Sequence, residues 1–137
     1  MADPGETAAS HDELRRLREV RLALLRLHKA LLDVERLRFE RDFGRVQDGY
    51  PFLQLVVNDP AFAWLRPLSA LIVELDERLD ADEPLTGAGA ERLREEVRLL
   101  TTPEKGGSEY AHNYDRAMQE SPDVLLLHRA VARALAA

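Results

Sequence analysis

Glu109 and His112 stand three apart in the string Glu-Tyr-Ala-His, a spacing that puts a carboxylate and an imidazole on one face of an α-helix. Two such pairs, with a further glutamate from each of two facing helices, make a carboxylate-bridged dimetal centre in a helical bundle. This chain has only the one pair. His28, beside an apolar stripe, or Tyr110 or Asp115 could join Glu109 and His112 in a metal or ligand site. A ligand- or metal-binding bundle built on Glu109 and His112, with enzymatic activity as its extension, is therefore one reading of the chain. The duller reading keeps these groups structural. His28 and His128 flank apolar stripes as hydrogen-bonded boundary residues, His11 lies in a helix-cap region in solvent, and Tyr110 and Tyr114, four apart, pack in the core.

Other chemistries fit less well. Ser10, Ser108 and Ser121 stand where helix caps are needed, and Ser69 has no nucleophile-elbow context. Gly87-Ala88-Gly89 and Gly106-Gly107 lack the preceding strand and the Lys/Ser pattern of a phosphate loop. Glu91, Glu95 and Glu96 miss the Glu-x-x-Glu interval of a helical magnesium site, because Glu91 and Glu95 are four apart and no Glu-x-x-Asp follows. Trp64-Leu65-Arg66-Pro67 is the most distinctive string, and Trp and Arg are enriched where proteins bind one another. No catalytic residue set, cofactor or family motif emerges, and a non-enzymatic role is expected.

Composition narrows the class. The chain has 137 residues, 45% hydrophobic and 32% charged, the balance of one folded domain rather than of a disordered segment. Absence of cysteine excludes a disulfide scaffold, a thiolate metal site and a cysteine nucleophile. A net charge of −6 opposes sequence-independent binding to nucleic acid, which works by neutralising phosphates. Glu13 and Glu19 also interrupt the one arginine-rich run, Arg15 to Arg26. No apolar run approaches a membrane span, and residues 1–10 do not resemble a secretory signal, so a cytoplasmic location is expected. The acidic charge is concentrated: residues 74–96 hold nine acids against three bases.

The elements that must position these groups are all helical. Leu17, Val20, Leu24, Leu27, Leu31 and Val34 alternate spacings of three and four, the seam of a helix packed on another. Leu25, Leu32, Phe39 and Val46 form a second line beside it. Ser10 and Glu13 make a capping box for this helix, which is expected to end at Gly44 or to run about 37 residues, to Asp48-Gly49-Tyr50-Pro51. A short helix from Pro51 through Val57 plugs the end of the bundle. A second long helix, over residues 60–79 with the stripe Ala61, Leu65, Leu68, Ile72, Leu75 and Leu79, returns antiparallel, kinked or divided at Pro67. Three shorter helices follow, near residues 90–100, 109–120 and 122–137, the last two capped by Ser108 and Ser121. A flexible tail over residues 1–9 and a flexible segment over 101–108 complete the expectation.

The expected fold is an all-α bundle on a hairpin of unequal arms. The shorter arm cannot cover the first third of the longer one, so Leu14, Leu17, Arg18, Arg21 and Leu22, with Trp64 and Arg66, are expected to form an interaction surface. The function implied is a non-catalytic, self-associating scaffold, a homodimer or a partner of another protein, in which Leu17→Glu dissociates the assembly before it unfolds the subunit. The last helix lying over that region instead would remove the argument.

Overall fold

The computed structural model describes residues 6–103 and 107–137. Among them are six α-helices and no strand: α1 (His11–Phe43), α2 (Tyr50–Asn58), α3 (Arg66–Asp80), α4 (Gly87–Thr101), α5 (Glu109–Glu120) and α6 (Pro122–Ala136), with a 3-10 helix, Pro60–Leu65, leading into α3. The helix starts follow local chemistry. Ser10, Thr86, Ser108 and Ser121 each take a backbone N–H three residues on, satisfying donors that the first helical turn cannot.

α1 ends at the first of its two candidate stops, giving 33 residues, about 50 Å at the usual rise. Gly44 takes φ 89°, ψ 172°, a region essentially reserved for glycine. The chain beyond it is held by side chains of α1 itself. The Glu40 carboxylate accepts the Val46 N–H at 2.8 Å, and Arg36 donates to the Val46 carbonyl and, at 2.6 Å, to Asp48.

The residue 60–79 helix is divided rather than kinked. Its first turns are 3-10, and Pro67 sits in the first turn of α3, where a missing N–H costs nothing. α1 and α3 are antiparallel: Arg21 pairs with Asp76 at 3.2 Å and His28 with Ser69 at 2.7 Å, so that residue numbers rise on one helix as they fall on the other. The acidic end of α3 is thereby answered by α1, and again by Arg92 of α4, 3.1 Å from Glu74.

The decisive difference from the sequence expectation lies over the first half of α1. α6 folds back along it and is its most extensive neighbour, while α4 and Leu85 close its start. Leu17, Val20, Leu24, Leu27 and Leu31 are all fully buried within this one chain, in a core shared with Leu68, Leu75, Leu93, Tyr114, Val124 and Val131. Leu17 is therefore core, not interaction surface. Leu14 is half-buried beside it, Arg21 is half-buried and paired, and of the α1 residues in that group only Arg18 and Leu22 stay exposed. The inner end of the expected tail is also tied down: Ala9 N–H donates to Leu85 O at 2.8 Å and Gly87 N–H to Thr7 O at 2.9 Å. Residues 1–5 of that tail, and 104–106 of the segment expected to be flexible, lie outside the described residues.

Candidate functional site

An aromatic cluster lies at one end of the bundle, where the last third of α1, α2 and the 3-10 helix meet. Phe39 and Phe62 (6.3 Å between centroids) and Phe62 and Phe52 (6.0 Å) link these elements, and the Arg36 guanidinium lies 4.6 Å above the Phe52 ring.

A cleft of about 470 Å³ opens here between α1, the 3-10 helix and α5. Its walls include Phe39, Phe43, Trp64 and Tyr110, and its polar groups are Glu35, Arg38, Asp42, Glu109, Asn113 and Arg116. Trp64 meets Tyr110 edge-on at 5.6 Å, Tyr110 stacks on Tyr114 at 6.0 Å, and Tyr114 meets His128 at 5.7 Å, an aromatic chain from the cleft into the core. Tyr110 donates to Leu100 O at 2.7 Å, and the Tyr114 hydroxyl lies 2.8 Å from His128 Nδ1. Burial pushes both phenols up, so each is a hydrogen-bond donor at neutral pH.

Among the described residues Glu35 is the one buried carboxylate, 4% exposed. It accepts a hydrogen bond from Arg116, with Arg38 3.9 Å away, and Glu120 binds both arginines at 2.9 and 3.3 Å. Two acids and two bases thus close a neutral ring between α1 and α5. Asp42 and Glu109, at the rim, make no ion pair among the described residues. The ring escaped sequence reading, although Glu35 follows Leu31 by four residues, a seam spacing at which a carboxylate must find partners.

The metal reading loses its geometry. Glu109 lines this cleft, whereas His112 and Asp115 line a separate cavity of about 360 Å³ with Tyr114 and His128. His28 is on α1, bonded to Ser69. Among the described residues no three His, Asp or Glu side chains are grouped to hold a metal ion. Trp64 lines the cleft, while Arg66 turns away and donates to Val57 O at 3.1 Å, fastening the end of α2.

The two part-buried histidines set an acid limit to stability. Ser69 donates its own proton to Leu65 O at 3.2 Å, so its oxygen accepts from His28 Nε2. Burial lowers the pKa of His28, and burial followed by the charge of Arg129 lowers that of His128. The unfolded chain then takes up protons near the ordinary histidine pKa, about 6.5, before the native state does. Stability is complete above that pH and is lost as the pH falls from it through the depressed native values. Urea midpoints are expected to decline on acidification from about pH 7 to 5.5, less steeply in His28→Gln; a flat wild-type profile contradicts this.

α2 is the second feature of this end. Its nine residues carry no Asp, Glu, Lys or Arg, yet none is buried. Tyr50, Leu53 and Val57, spaced three and four, are 71%, 56% and 55% exposed, and Phe43 at the end of α1 is 74% exposed. α2 does not plug the bundle. Its apolar side chains run all round the helix, and its packing on the 3-10 helix can cover only one face. No helix among the described residues is long and apolar enough to cross a membrane. The chain matches no protein-family model, no curated protein and no solved structure at a significant level, and its function is read from the chemistry of the cleft and of the apolar face.

Proposed function

We propose that this protein is a non-catalytic interaction module that forms a weak homodimer through the outer face of α2. The observation that carries the reading is the exposed Tyr50, Leu53 and Val57 stripe on a helix without a formal charge. In a chain of net charge −6, that face lets two copies meet without bringing like charges together. It replaces the surface around Leu17, which the chain covers itself.

Covering the exposed half of Phe43, Tyr50, Leu53 and Val57 is worth about 1 kcal/mol per side chain, or roughly 8 kcal/mol across two copies. Association costs about 4–15 kcal/mol. At the low end of that cost about 4 kcal/mol remains, which corresponds to a dimer in the millimolar range. Sedimentation equilibrium across that range is expected to show reversible dimerisation that Leu53→Glu abolishes while the subunit stays folded. Leu22→Glu, on the exposed back of α1, is expected to leave it unchanged. A wild-type chain that stays monomeric throughout overturns the proposal. A second reading, a ligand-binding bundle, is favoured by the aromatic cleft that Glu109 lines.

A further inference from the structure

The cleft's charges select a ligand class. Arg38 and Arg116, the cations that line it, are already matched by Glu35 and Glu120. What remains unanswered is negative, Asp42 and Glu109. Glu109 lies in the first turn of α5, where the helix end offsets part of its charge, but the Ser108 hydroxyl already occupies the Ala111 N–H there at 3.2 Å.

The walls point the same way. Trp64 Nε1 is buried and has no hydrogen-bond partner among the described residues, so its ring offers the cleft carbon rather than a donor. Trp64, Tyr110 and Phe39 line the cleft with aromatic rings, and aromatic π-systems attract cations. A volume of about 470 Å³ falls within the range of small-molecule sites. An anion would have to displace Glu35 or Glu120 from the arginines, and Glu35 cannot be left buried without a partner.

Resting on the ligand-binding reading above, we propose that the cleft binds a small organic cation, an alkylammonium group on a compact apolar body. The charged head lies against Asp42 and Glu109, and the body lies on Trp64 and Tyr110.

Trp64 is the chain's only tryptophan and so reports directly on the site. Trp64 fluorescence and calorimetry would follow titrations with three probes of matched shape: cyclohexylmethylammonium, neutral cyclohexylmethanol and anionic cyclohexanecarboxylate. The ammonium is expected to bind saturably, in a salt-dependent way, and more tightly than the other two. Asp42→Asn and Glu109→Gln, both at exposed positions, are each expected to weaken it about two- to fivefold without changing the alcohol. Equal or tighter binding of the alcohol or the carboxylate overturns the cation assignment and leaves the cleft as a ligand site. Titrations in which none of the three binds overturn both.

Discussion

Leu17→Glu is expected to unfold the subunit rather than to release it from an assembly. Leu17 is fully buried against helices of its own chain, in the same continuous core as Leu85, Leu93 and the inner face of α6. Placing a carboxylate there removes a buried leucine, worth about 1.5–3 kcal/mol, and adds the desolvation of a charge with no partner, several kcal/mol more. The total approaches or exceeds the roughly 5–15 kcal/mol that holds a domain of ordinary stability. Circular dichroism should show loss of cooperative unfolding at room temperature. Leu22→Glu, five residues on, is the control: Leu22 is 49% exposed, and its replacement should shift stability by no more than about 0.5 kcal/mol. A folded Leu17→Glu chain with a near-native melting transition would mean that α6 does not cover α1 in solution.

The second large effect belongs to the ring of charges behind the cleft. Arg116→Ala strands Glu35 in the core with only Arg38 near, 3.9 Å away and itself 41% exposed. Removing one partner of a buried pair typically costs about 3–5 kcal/mol; the residual Arg38 contact reduces the expectation here to about 2–4 kcal/mol. Glu35→Leu combined with Arg116→Met should recover most of the loss, because two apolar side chains of similar length demand no compensating charge. Urea unfolding of the wild type, Glu35→Leu, Arg116→Met and the double variant measures the coupling between the two side chains. Additive single and double losses would show that the pair is not coupled in the folded state.

Much of the architecture was legible because it rests on local chemistry. A three-and-four alternation such as Leu17 to Val34 admits no structure but a helix with one buried side, and the caps at Ser10, Ser108 and Ser121 mark helix starts through bonds spanning three residues. The same holds for Glu109 and His112, which do share a helix; their pairing at a metal does not follow, because the bundle places them toward different cavities.

Spacing along one chain states which side of a helix must be hidden, but not by what. α6 could satisfy the first half of α1 as well as a second molecule could, and both answers leave the same pattern in the residues. Whether Glu35 is solvated or locked between two arginines depends on Arg116, 81 positions away. Exposure of α2 depends on how little of the bundle end is left for it to cover. Periodicity and capping are settled within a few residues of chain, whereas the roof over α1, the cleft beside Trp64 and the bare face of α2 are set by competition among distant helices for one limited interior.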